Sequence, residues 1–140
     1  MTEKWNNKQC PLCFEGVLHD GSKKQTLEYR DRQYEFTLTG DYCDHCHDGF
    51  PQHNEEEEAR WKTFRDAVDA EDAAELARIR KKLKLTQKEA ARLTGGGHNA
   101  FSRYERGEAK PIQAVLNLFR LLDIHPDLLK ELKNKNMRTV

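Results

Sequence analysis

Two cysteine pairs constrain this chain more than any other feature. Cys10-Pro11-Leu12-Cys13 and Cys43-Asp44-His45-Cys46 are C-x-x-C knuckles, and drawing them together brings four thiolates into the tetrahedron that structural zinc prefers. A site closed by four sulfurs leaves no position for a reacting water. The expected cofactor is therefore one structural Zn²⁺ per chain, held by Cys10, Cys13, Cys43 and Cys46. The 29 residues between the knuckles exceed the commoner spacing of about 15 to 20, at little cost because loop-closure entropy grows only logarithmically. Redox chemistry is the rival reading, but it needs one motif at a helix N-terminus, and these two flank strand-like segments. His45, His47 and His53 are near enough in sequence to replace a ligand. The first ten residues contain no apolar stretch of the kind an export signal needs, so a reducing, cytoplasmic setting is expected, in which cysteines serve metals before disulfides. Nor is there an apolar run near the length of a membrane span, so no membrane is expected as a partner.

Between the knuckles, Tyr34, Phe36 and Leu38 alternate with Glu35, Thr37 and Thr39, the period of a half-buried strand. Leu27 and Tyr29 alternate likewise, a turn near Asp31 would join the two as an antiparallel hairpin, and Val17-Leu18 is a candidate third strand. Residues 1–9 read as frayed. Some fifty residues of this kind bury too little to fold unaided, so the metal is expected to supply much of the stability. Phe14, Tyr42 and Phe50 are candidates for packing round it.

The run Gln52 to Glu58, Q-H-N-E-E-E-E, breaks the composition and marks a boundary. Asn54 can cap a helix whose glutamate-rich first turn suits the positive end of the dipole. Trp61, Phe64 and Val68 give that bridging helix an apolar stripe ending near Asp69, which is placed to cap a further helix. A net charge of zero hides a division here. Residues 1–58 carry six Lys/Arg against thirteen Asp/Glu, and residues 59–140 carry eighteen against eleven, so the halves stand at −7 and +7. The basic half suits a polyanion and the acidic half a basic partner.

The second half is organised around Leu83 to Gly107. Thr86 followed by Glu89 is a capping box, so a helix starts there. Gly95-Gly96-Gly97 ends it, and a second segment runs from His98 to Arg106 before Gly107. Two short helices about a glycine turn make a helix-turn-helix. On the second, Ala100, Phe101 and Tyr104 share a core-facing side. Asn99 and Arg103, four apart, share another. Asparagine pairs with the adenine edge and arginine with the guanine edge in the major groove, so these two are the expected base readers.

The run L-T-Q-K-E-A-A, the turn and F-S-R-Y-E-R-G resemble the Cro/repressor type of helix-turn-helix, and G-G-G-H-N-A-F-S-R-Y-E resembles more narrowly the MqsA family of antitoxins. The resemblance implies a zinc-binding N-terminal domain that neutralises a cognate toxin, generally a small ribonuclease, and a C-terminal domain that represses its own operon. It implies a phosphate contact for Gln87, and one for Arg65, matching an arginine that reaches DNA from the interdomain region. Where it is weakest, at residues 14–42, toxin specificity would lie.

From Asp72 to Leu83, Ala73, Leu76, Ile79 and Leu83 line one side of the first helix of the DNA-binding domain. Arg78, Arg80, Lys81 and Lys82 cluster at its exposed end, where they can neutralise phosphates. Lys88, His98 and Ser102 complete the expected backbone contacts. Thr94, where an apolar residue is usual, hints at looser packing. Lys110-Pro111 opens the next helix, and Val115, Leu116, Leu118, Phe119, Leu121 and Leu122, continued after Pro126 by Leu128, Leu129 and Leu132, give an apolar face wider than one small core needs. That width suggests a homodimer on a palindromic operator. The expected fold is thus two-domain, with small zinc-bound antiparallel β at residues 1–53, a bridging helix at 54–70, an all-α helix-turn-helix domain at 71–134 and a tail at 135–140. A chain of this kind associates with the nucleoid when bound to DNA. A regulator without a toxin partner is the alternative, and an enzyme is not expected, since no nucleophile-base pair accompanies the closed metal site.

Overall fold

A twelve-residue strand, β1 (Leu18–Tyr29), turns through Arg30 and Asp31 into an equally long β2 (Arg32–Cys43). They pair antiparallel, Leu18 opposite Cys43 and Tyr29 opposite Arg32. Arg30 and Asp31 have φ of 52° and 73°, the two left-handed residues of a turn whose twist matches that of the strands it joins. Along β2 the expected alternation holds: Tyr34, Phe36 and Leu38 are half-buried while Glu35, Thr37 and Thr39 are exposed. The structure, a computed structural model, describes residues 5–136.

The third strand is not Val17-Leu18. Leu18 begins β1, Val17 makes an isolated bridge to Gln9, and the strand beside β2 is β3 (Gly49–Pro51), in the order β1-β2-β3. Glycine makes this approach possible: a Cβ at Gly40 would come within 2.8 Å of the Pro51 Cα, and one at Gly49 within 2.8 Å of the Tyr42 Cα. Residues 5–9 are not frayed either. Trp5 stacks on Phe50 at 4.9 Å, and the Asn7 N–H donates to the Leu18 carbonyl at 2.7 Å. Cys10, Leu18 and Cys43 are buried together, with Trp5, Cys13 and Phe50 against them.

Helix α1 (Glu55–Lys82) starts where expected, the Asn54 side chain accepting from the N–H groups of Glu56 and Glu57 at 2.9 and 3.2 Å. The break expected near Asp69 does not occur. Asp69 pairs with Lys110 at 3.1 Å instead of capping, and Asp72, almost fully buried, pairs with Arg120, so neither carboxylate draws the backbone out of the helix. The chain divides into two compact units, the division falling within α1 after Arg65.

The second unit continues with α2 (Gln87–Leu93), α3 (Ala100–Glu105), α4 (Gln113–Ile124), one 3₁₀ turn at Pro126–Leu128, and α5 (Leu129–Asn136). Its core gathers Leu76, Ile79, Leu93, Phe101, Leu116 and Phe119 among others, with Phe101 against Phe119 at 5.0 Å. Pro111 precedes α4 instead of opening it, since Ile112 stands at the cap. Leu116 belongs to this core, which leaves a narrower exposed apolar set than expected: Ile112, Leu121, Ile124 and Leu128. Thr94 is not a packing defect, because its hydroxyl donates to the carbonyls of Ala90 and Ala91 at 3.1 Å each and closes α2. Residues 1–4 of the segment read as frayed, and residues 137–140 of the tail, lie outside the described residues.

Candidate functional site

The two knuckles share one backbone course. In each, the residue after the second cysteine donates its N–H to the carbonyl of the first, Phe14 to Cys10 at 2.9 Å and His47 to Cys43 at 3.2 Å. Both have left-handed φ, 62° and 63°, a course that aims two sulfurs at one point. Leu12 N–H lies 3.4 Å from Cys10 Sγ, and the N–H groups of His45 and Cys46 lie 3.3 and 3.4 Å from Cys43 Sγ. A Cβ at Gly16 would collide with Cys43 Sγ.

All four sulfurs fall within 4.8 Å of one another, with Cys10 to Cys46 at 3.8 Å and Cys13 to Cys43 at 3.6 Å. Sulfurs about 2.3 Å from a central ion stand roughly 3.8 Å apart in a tetrahedron, so four cysteines here can hold a metal ion, and the donor set fits zinc. The thiols themselves are in conflict. Backbone amides of Glu15 and Gly16 hold Cys13 down to about 6. At Cys46 the Asp48 amide pulls the same way, but desolvation and the sulfurs of Cys43, Cys13 and Cys10 push it up to about 12. Thiols this close cannot all ionise without a cation among them. The neighbouring histidines stand outside the cluster: His45 pairs with Glu15 at 2.7 Å and His53 with Glu58 at 3.5 Å. Phe14 is 67% exposed and does not pack round the sulfurs, whereas Phe50 does.

The same unit holds an apolar cleft of about 220 Å³, lined by Tyr34, Phe36, Leu38 and Trp61 with Glu57 and Glu58. Alternation along β2 marks these side chains as half-buried, and the structure shows that a concavity lies over them.

In the second unit, the capping box closes as expected. Thr86 Oγ1 accepts from the Glu89 N–H at 3.1 Å, and Glu89 accepts from the Thr86 N–H at 3.0 Å. Gly95, at φ 76°, turns the chain, and α3 is shorter than expected, beginning at Ala100. Asn99 stands at its cap position yet makes no side-chain capping bond. Phe101 is fully buried and meets Tyr104 edge-on at 5.5 Å, which turns Asn99 and Arg103 outward. Both are exposed.

The expected backbone contacts fare unequally. Arg78 and Lys82 are held by Asp123, at 2.9 and 2.8 Å. Arg80 is no surface phosphate contact. It donates to both Glu105 oxygens at 2.6 and 2.9 Å and to the Leu85 carbonyl at 2.9 Å, both ion-pair side chains being 12% exposed. Gln87 also donates to Glu105, at 3.2 Å. Burial alone would raise the Glu105 carboxyl, but these bonds hold it below the usual carboxylate range. Arg65 is half-buried with its guanidinium 5.4 Å from the Trp61 ring. Lys81, Lys88 and His98 are exposed, and Ser102 is partly so. Arg92, which the sequence reading passed over, is exposed in a cleft beside Lys88 and His98.

No helix among the described residues is long and apolar enough to cross a membrane. The sequence profile of MqsA, described as the antitoxin component of a bacterial toxin-antitoxin system, matches residues 8–133. The chain is also 42% identical, over 130 residues, to the antitoxin MqsA of Escherichia coli strain K12, an alignment covering 89% of this chain and 99% of that protein.

Proposed function

Since this chain belongs to the MqsA family of antitoxins, we propose that it neutralises a small ribonuclease-type toxin through its N-terminal unit and represses its own operon through α2 and α3. The observation that carries the DNA half is the outward pair Asn99 and Arg103, two residues either side of the buried Phe101 ring. A short helix anchored by one aromatic side chain and presenting an adenine reader and a guanine reader is equipped for the major groove. Lys81, Lys88, His98 and Ser102 supply backbone contacts around it, and Arg65 another. Arg78 and Lys82, about half exposed although each pairs with Asp123, and Gln87, bonded to Glu105, add further phosphate contacts.

The metal in the N-terminal unit is a structural Zn²⁺ on Cys10, Cys13, Cys43 and Cys46. It supplies folding free energy and leaves the toxin to be met by side chains and strand edges. A sheet edge can accept a strand from a partner, and the acidic charge of residues 1–58 suits a basic, RNA-binding toxin. Exposed Ile112, Leu121, Ile124 and Leu128 form the homodimer contact that sets two α3 helices on a palindromic operator. The two units act as separate domains in a cytoplasmic protein that joins the nucleoid on binding DNA.

Replacing Arg103 by alanine is expected to cost about 1–3 kcal/mol of operator affinity and to relax base choice at one position in each half-site. Electrophoretic mobility shifts with a set of single-base operator variants measure both. Unchanged affinity and unchanged preference would remove α3 as the reading helix.

A further inference from the structure

Several basic side chains of the C-terminal unit are answered by its own carboxylates. Arg78 and Lys82 meet Asp123, Arg80 meets Glu105, Lys110 meets Asp69, and Arg120 meets Asp72 and Glu75. Lys88, Arg92 and His98 differ. Together they line a cleft of about 310 Å³ between α2 and the turn that leads into α3, and all three are exposed. The acid in this cleft, Glu89, accepts from the Thr86 N–H and meets the Thr86 side chain, contacts that hold its carboxyl below the usual carboxylate range, and it also faces Lys133. Positive charge is thus gathered in a concavity whose lone carboxylate is turned to the capping box.

We propose that this cleft seats one phosphate of the bound duplex, gripped by Lys88 and Arg92 and, when its ring is protonated, by His98. The inference rests on the DNA reading above and deepens it, adding Arg92 as a contact and making the grip proton-linked. His98 directly precedes the base reader Asn99 in the chain, so a phosphate held here fixes the register at which Asn99 and Arg103 meet the bases, without itself carrying sequence information. An anion in the cleft favours the imidazolium over the neutral ring. Binding therefore takes up a proton, and affinity rises as the pH falls.

The test uses the full zinc-loaded chain and an end-labelled duplex from the region upstream of its own coding sequence, with fluorescence anisotropy read over salt and pH. Arg92→Ala is expected to flatten the slope of log affinity against log salt by about 0.9, the mark of one lost phosphate contact, and to weaken all duplexes alike. His98→Gln is expected to abolish a gain in affinity that the unaltered chain shows between about pH 7.5 and about pH 6. An Arg92→Ala chain with unchanged slope, or a His98→Gln chain with the full pH response, overturns the cleft while the DNA reading stands. A chain that ignores the duplex altogether overturns both. Inorganic phosphate at matched ionic strength should leave the His98 ring resonances unmoved, and a saturable shift would make the cleft a free-anion site instead.

Discussion

The two units of this antitoxin reach a fixed shape by opposite means. In the second, Phe101, Phe119 and the leucines of α1, α2 and α4 exclude water from a shared interior, and geometry follows from filling volume. In the first, Cys10, Leu18 and Cys43 form the buried cluster among the described residues, and geometry follows from sulfurs converging on a point and from a ladder of strand hydrogen bonds. A unit of the first kind is expected to depend on an ion among its four sulfurs; a unit of the second kind depends on itself.

The largest effect to expect is therefore from metal removal. Structural zinc contributes about 10–16 kcal/mol, more than a unit with so small a core can replace. A strong chelator, or Cys43→Ala, should collapse the amide resonances of residues 18–51 while those of residues 76–129 keep their positions. Loss of both sets together would end the contrast. Next comes Arg80→Ala, which leaves Glu105 charged and unpaired among α1, α2 and α3. Removing one partner of a buried pair costs about 3 kcal/mol or more; this pair is only partly buried and Glu105 keeps the bond from Gln87, so the second unit should lose about 1–3 kcal/mol by urea titration and the first none. A smaller effect follows from acid. Arg78 and then Lys82 hold Asp123 at about 2, and Glu105 also lies below its usual range. Groups held down in this way contribute stability above their ordinary values and lose it as pH falls through the folded ones. The melting temperature of the second unit should stay level down to about pH 5 and then decline toward about pH 2, and Asp123→Asn should make that decline shallower. A profile level to the acid end would dismiss these pairs as stabilising. Smallest is the hairpin turn. Arg30→Asn with Asp31→Gly suits left-handed φ at both positions and should stabilise the first unit by less than about 1 kcal/mol, seen as a higher melting temperature of the zinc-loaded chain.

What could be read from the chain beforehand was whatever rests on near neighbours. The knuckles, the Thr86–Glu89 box, the Asn54 cap and the alternation along β2 all depend on spacings of four residues or fewer. What escaped depends on partners far away. Arg80 reads as a surface cation until Glu105, 25 residues on, is found against it, and Arg78 and Lys82 likewise until Asp123 is brought across. Asp69 reads as a cap between two helices because its partner, Lys110, was not visible. β3 has only three residues, too few for a period. Gly40 and Gly49 were its only advance sign, each opposite a backbone that leaves no room for a side chain.

One consequence of the sheet's make-up concerns mechanics. β3 covers β2 only from Gly40 to Tyr42, so beyond that point the sheet is a ribbon two strands wide. Such a ribbon twists more readily than a broad sheet. Its far end is braced by rings, Tyr29 and Tyr34 lying 6.0 and 5.3 Å from Trp61, and Tyr34 5.0 Å from Phe64. The hairpin is a cantilever with its root at the cysteine cluster and its tip propped on the rings of Trp61 and Phe64.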